Sequence, residues 1–210
     1  DADIKLTFRG IALWYHIYIK VISDRNQAVS AIGRVQNIHT EKLEKEQLRK
    51  KSMLDSLTNI LNAASVKKKI QDILQTDSAA HALFILDLDN FKDVNDIHGH
   101  YTGDQVLIQT ATALCEVFRD SAVVGRLGGD EFVVFLKQVQ SDEQVQEKCK
   151  LLTENLCYKK ESKNLPIPTI SIGVALSRAE DDFVSLYQRA DTALYDVKHG
   201  GKDNYVIEKE

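Results

Sequence analysis

Residues 126–135 read Arg-Leu-Gly-Gly-Asp-Glu-Phe-Val-Val-Phe. Two glycines and two acids stand between apolar runs, Ala122-Val123-Val124 before them and Phe132 to Leu136 after. That order describes a β-hairpin whose tight turn presents Gly128, Gly129, Asp130 and Glu131. Glycine admits positive φ and lets a ligand approach the backbone closely, so the acids stand where a phosphate and a divalent cation can meet. The same residues suit an ordinary hairpin turn, and the turn alone leaves both readings open.

A second acidic site lies upstream, in Ala82-Leu83-Phe84-Ile85-Leu86-Asp87-Leu88-Asp89. The unbroken apolar run predicts a buried central strand over 82–88. Asp87 and Asp89 alternate with Leu88 at its end and so share a side. Carboxylates there are costly unless solvated, paired or bound to a cation. Mg²⁺ takes one or two carboxylates and completes its shell with water and phosphate oxygens. For Asp89 the spacing equally allows the N-cap of a helix starting near Phe91.

These sites fall within a longer series of motifs: Asp55-Ser-Leu-Thr58, Leu86-Asp-Leu-Asp89, Phe91-Lys92, Asn95-Asp96, Gly99-His100 and Gly103-Asp104. The series continues through Arg126 to Phe132, Ser171-Ile-Gly173 and Ala190-Asp-Thr-Ala-Leu-Tyr195. Residues 55 to about 206 thereby resemble a GGDEF-domain diguanylate cyclase, the family that condenses two GTP into cyclic di-GMP. The resemblance implies that Asp87, Asp130 and the Leu88 carbonyl hold Mg²⁺, with Mn²⁺ as a substitute. Asp130 and Glu131 become the catalytic acids, Glu131 binding a second ion or accepting the hydroxyl proton. Asn95 and Asp104 match guanine contacts, His100 lies near the nucleotide, and Lys92, Lys198 and Lys202 match phosphate contacts. One GTP per domain implies a homodimer in the reaction.

Four positions depart from the family pattern. Asn59 replaces the usual Gly, Ala63 the usual Arg, and Lys202 stands where Arg is common. Lys keeps the charge but loses the bidentate fork. The family's inhibitory product site is Arg-x-x-Asp; Arg119 is present, but Ala122 stands in the Asp position. The competing reading is a non-catalytic GTP-binding or dimerisation module, for which Asn59 and Lys202 leave room.

Composition is consistent with this frame. The chain has 210 residues, a formal charge of −4 and a pI near 5.9. That balance gives no general attraction to nucleic acid. The three cysteines, Cys115, Cys149 and Cys157, lack metal-site spacing. Cys115 and Cys149 fall in helical patterns and read as small buried thiols of a reducing cytosol, so the expected location is the cytoplasm. The most apolar N-terminal run, 10–22, is too short to span a bilayer and carries His16 and Lys20; a membrane anchor elsewhere in a longer parent protein stays open.

Residues 11–22 alternate, Leu13, Tyr15, Ile17, Ile19 and Val21 on one face and Trp14, His16, Tyr18 and Lys20 on the other. With a turn at 24–27 and an extended run over 28–38, this predicts a two-stranded hairpin. Residues 1–39 are similar to the last two strands of a PAS sensor domain, a resemblance that implies an N-terminal sensor region in a longer parent protein. Residues 40–54 predict a charged linker helix with Glu41/Lys45 and Glu46/Lys50 four apart. By the resemblance to diguanylate cyclases, residues 55–210 are expected to make up the GGDEF domain.

Within it the patterns predict helices over 62–75, 102–118, 142–158 and 182–199, the hairpin over 122–137, and strands over 82–88, 168–176 and 204–208. The expected fold class is α/β (α+β): a ferredoxin-like, palm-type central sheet flanked by helices.

Overall fold

The structure is a computed structural model that describes residues 1–24, 27–162 and 168–208. It divides into two compact units, Asp1–Ser52 and Met53–Glu210. Among the described residues no helix is long and apolar enough to cross a membrane.

The first unit is an antiparallel sheet of three strands, β1 (Ala2–Phe8), β2 (Ile11–Asp24) and β3 (Gln27–Asn37), followed by helix α1 (His39–Ser52). The expected two-stranded hairpin is thus corrected by a third strand. Leu6 pairs with Leu13 and Ile4 with Tyr15, while Val35 pairs with Ile17. Because side chains alternate, these residues share one continuous apolar face. Part of the predicted turn, residues 25 and 26, lies outside the described residues.

The second unit holds a mixed sheet in the order β4-β6-β7-β5-β8-β9. Its strands are β4 (Leu61–Asn62), β5 (Ala82–Leu88), β6 (Ala122–Gly128), β7 (Glu131–Leu136), β8 (Ile170–Leu176) and β9 (Tyr205–Ile207). All residues of β5 are buried, and the strand runs antiparallel to both neighbours, β7 and β8. Its apolar run is continuous because both faces are covered.

Leu83 and Ile85 pack with Val66 and Ile70 of α2 (Ala63–Thr76) and with Leu186, Ala190 and Leu194 of α6 (Phe183–His199). Phe84 and Leu86 face the other way. They pack with Leu114 and Phe118 of α4 (His100–Phe118) and with Val145 and Leu152 of α5 (Asp142–Ser162). The rings of Phe84 and Phe118 meet edge to face at 5.2 Å. A central sheet between two helical layers is the α+β architecture that the patterns predict. Of the two thiols expected to be buried, Cys149 is, but Cys115 lies on the exposed side of α4, because the helix turns that position away from the sheet. The side chains of Leu156 and Cys157 in α5 lie outside the described residues.

The alternation that builds the core also places the acids. Asp87 shares the face of Leu83 and Ile85, the side on which α6 lies. Asp89 follows the last strand residue and takes another course. Its carboxylate accepts hydrogen bonds from Thr169 Oγ1 and Ser171 Oγ, each at 2.7 Å, and from the Asp203 amide at 3.0 Å. It is therefore a buried strut beneath the 201–204 turn and not a helix cap. The capping position before α3 (Phe91–His98) belongs to Asn90, left-handed at φ 56° with no side-chain cap.

Candidate active site

The β6–β7 hairpin turns through Gly128, Gly129 and Asp130 as the sequence predicts. Gly129 has φ +53°, a conformation that glycine takes without steric penalty. A clamp holds the turn. Arg126 Nε and Nη2 donate to the Gly129 carbonyl at 3.0 and 2.7 Å, and its Nη1 donates to Asp55 Oδ1 at 3.0 Å. The same Asp55 oxygen accepts from the Thr58 amide and hydroxyl at 2.9 and 2.6 Å. Burial works against the Asp55 carboxylate, but these Thr58 and Arg126 contacts outweigh it and hold its pKa below the usual value.

Asn59 occupies φ 59° beside this clamp. Asn is among the few side chains that tolerate the left-handed region, so Asn59 can hold a backbone conformation that glycine also takes.

Cross-strand pairing brings the two acidic sites together. Asp87 stands opposite Glu131, and the Leu88 amide donates to the Asp130 carbonyl at 3.4 Å. Lys198, in the last turn of α6, completes the cluster with Nζ 2.8 Å from Asp87 Oδ2. The pKa of Asp87 is raised, first by burial, with the charge of Asp130 adding to it against the Lys198 hydrogen bond. Glu131 is raised as well, first by burial and then by the Asp87 charge.

For Lys198, burial works against the ammonium, but the Asp87 hydrogen bond and the surrounding carboxylates outweigh it and raise its pKa. A simple ion pair would lower the acid's pKa while raising the base's. Both are raised here because burial, with the charges of Asp130 and Asp89, outweighs the single ammonium at Asp87, while Lys198 itself faces the carboxylates of Asp87, Glu131 and Asp130.

The donor set fits a hard divalent cation. Among the described residues no three His, Cys, Asp or Glu side chains form a ready-made cage. Mg²⁺ does not require one, since a pair of carboxylates and a carbonyl leave its remaining positions to water and phosphate. The under-neutralised acids around a buried Asp87 are what such an ion would compensate.

The other sequence-predicted residues divide into two groups. Asn95 on α3 packs against α4 at Gly103, the residue before Asp104, for a Cβ on Gly103 would lie 2.0 Å from Asn95 Oδ1. The absence of a side chain at Gly103 is what lets the Asn95 amide lie against α4. Asp104 is exposed inside α4, which begins at His100, so it is not a helix cap. His100 and Lys92 are exposed on the same helical pair. Lys202 reaches the end of β5 differently from Lys198, its Nζ donating to Asn90 Oδ1 at 2.7 Å.

Three participants carry no role in the sequence reading. Arg126 and Asp55 clamp the turn across 71 positions of chain, and the charge of Asp191 on α6 acts on Glu131.

Comparison with known proteins accords with this geometry. The family model "Diguanylate cyclase, GGDEF domain" matches residues 52–204. Diguanylate cyclase DgcN of Escherichia coli K12 is 38% identical over 157 residues, 73% of this chain and 38% of that protein. Diguanylate cyclase DgcM of the same organism is 31% identical over 179 residues, 80% of this chain and 42% of that protein. The chain thus spans well under half the length of these relatives.

Among solved structures, the coiled coil and GGDEF domain of DgcB from Caulobacter crescentus, in complex with c-di-GMP, superposes with a TM-score of 0.73 at 26% identity. The superposition covers 80% of this chain and 93% of that one. With the family model matched along most of its length, the chain belongs to the GGDEF diguanylate cyclase family.

Proposed function

We propose that the domain is a diguanylate cyclase that condenses two GTP into cyclic di-GMP with Mg²⁺ or Mn²⁺. The observation that carries this reading is the convergence of Asp87, the Leu88 backbone, Asp130 and Glu131 where β5 meets the hairpin turn. Asp87, Asp130 and the Leu88 carbonyl would hold the divalent ion. Such an ion, when bound, supplies Lewis-acid polarisation of the α-phosphate and acidifies the attacking hydroxyl. Lys92, Lys198 and Lys202 neutralise the triphosphate, and His100 borders the nucleotide. Asn95 and Asp104 hold guanine, the carboxylate accepting from N1–H and the exocyclic amine.

Two such domains facing each other bring the 3′-oxygen of one GTP in line with the α-phosphorus of the other. Each new O–P bond releases one pyrophosphate. Glu131, with its pKa raised by burial and by Asp87, is placed to take the hydroxyl proton or to bind a second ion. Because one domain holds only half of the reactants, the rate per domain should rise with protein concentration in dilute solution. A rate per domain independent of concentration from a monomeric protein would contradict the two-domain reaction.

Base choice should depend on the α3–α4 pair. Asp104→Ala should lower the preference for GTP over ATP roughly a hundredfold, since guanine donors left without their acceptor are costly. Gly103→Ala should act in the same direction by driving Asn95 aside. Competition binding checks both, and equal affinity of the unmodified protein for GTP and ATP would reject the assignment.

Product inhibition at the Arg-x-x-Asp site should be weak. Arg119 lies in a short 3-10 turn, while Ala122 is half-buried at the start of β6 opposite Leu136 and offers no acceptor. With the active site blocked by a non-hydrolysable GTP analogue, calorimetric titration with cyclic di-GMP should show no tight binding. Saturable binding lost in Arg119→Ala would contradict this.

For the N-terminal unit, the apolar face of its three-stranded sheet supports a PAS-like sensor fragment. Helix α1 is then the linker that carries its signal.

A further inference from the structure

Lysines at both ends of the turn after α6 reach the tip of β5. Lys202 is held by Asn90, but Lys198 is held by Asp87, the carboxylate on which cation binding depends. The contact is close and partly shielded, with the Asp87 side chain 12% exposed and that of Lys198 35% exposed. A divalent ion on Asp87 and an ammonium 2.8 Å from the same carboxylate would repel each other strongly in so shielded a place. Asp87 can therefore be fully engaged by one cation or the other. Lys carries its charge on a flexible four-carbon stem and can exchange one anionic partner for another without backbone movement.

We infer that Lys198 is a resident counter-ion of Asp87, which a divalent cation must displace and thereby release to the triphosphate. The inference rests on the proposed cyclase site and adds a coupling to it. The ammonium keeps the acidic cluster partly neutral before the ion arrives, at a cost in affinity for the ion alone. Once displaced, it meets the phosphates that arrive with the ion, so ion and nucleotide bind cooperatively. Linkage makes the coupling reciprocal. Lys202, bound to a neutral amide, does not compete in this way.

Binding of Mn²⁺ alone, followed by electron paramagnetic resonance on the full 210-residue chain, tests the inference. Lys198→Met should bind Mn²⁺ about three- to tenfold more tightly than the unmodified protein, the scale of a partly exposed ion pair. Lys202→Met should change Mn²⁺ affinity much less. With a non-hydrolysable GTP analogue present, Lys198→Met should lose most of the mutual enhancement between ion and nucleotide.

Unchanged or weaker Mn²⁺ binding in Lys198→Met would overturn the inference, as would equal tightening in Lys202→Met or no Mn²⁺ binding by either the unmodified protein or Lys198→Met. In the unmodified protein, Mg²⁺ should also abolish the NMR signature of a hydrogen-bonded Lys198 ammonium, and its persistence at saturating Mg²⁺ counts against displacement. Asp87→Asn separates the two levels. If that variant binds Mn²⁺ normally, the proposed metal site itself fails; if it loses binding while Lys198→Met behaves as unmodified protein, only the displacement fails.

Discussion

Asp87→Asn and Asp130→Asn should each lower cyclic di-GMP formation by at least about a thousandfold while the domain stays folded. Charge stabilisation by a bound metal ion is worth several kcal/mol at the transition state, and each 1.36 kcal/mol is a factor of about ten in rate. Asn preserves the shape of either side chain but removes the negative charge that the ion requires. Asp87 is the more sensitive to context, because its neutralisation also leaves Lys198 without its partner. Turnover under saturating GTP and Mg²⁺, with circular dichroism as the control for folding, measures the effect. Near-normal rates in both variants would contradict the metal clamp.

Gly173→Ala should be the most damaging single-methyl change in the core. A Cβ there would lie 2.2 Å from the Ala190 carbonyl oxygen and 2.2 Å from the Leu194 amide nitrogen. Both are backbone atoms of α6, so relief requires moving the whole helix away from β8. Overpacking costs typically about 1–3 kcal/mol. With rigid backbone on both sides we expect the upper end, or a loss of roughly 10 °C in melting temperature for a domain of this size. Since α6 also carries Lys198, activity should fall along with stability. Gly33→Ala offers a contrast, since its Cβ would make only ordinary contacts at 3.5 and 3.8 Å. An unchanged melting temperature for Gly173→Ala would show that β8 and α6 are not packed as described.

The parts of the fold legible in the sequence were those with a long, unambiguous period. The apolar run ending at Asp87 gave β5 its bounds, and the glycine-acid turn gave the hairpin. Short elements left too little pattern: β4 has only two residues, and α3, only eight long, was legible just as a start near Phe91. Strand β1 alternates Ile4, Leu6 and Phe8 with Asp3, Lys5 and Thr7, a legible period that a hairpin reading does not use.

At the site, local order identified each acid but not its partner. Asp87 meets Lys198 and Asp55 meets Arg126 only because the sheet and α6 bring distant segments together. The different fates of Asp87 and Asp89 were also hidden. Alternation puts both on one side, but the strand ends at Leu88 and the hydroxyls of Thr169 and Ser171 draw Asp89 inward.

The central claim is that the acids at the end of β5 and in the hairpin turn drive condensation of GTP. Its most direct test is to incubate the unmodified protein and Asp130→Asn in parallel with GTP and Mg²⁺ and to identify the nucleotide products by mass. The account predicts cyclic di-GMP and pyrophosphate from the unmodified protein and recovered GTP from the variant. Recovered GTP from both, or cyclic di-GMP from both at similar rates, would contradict it.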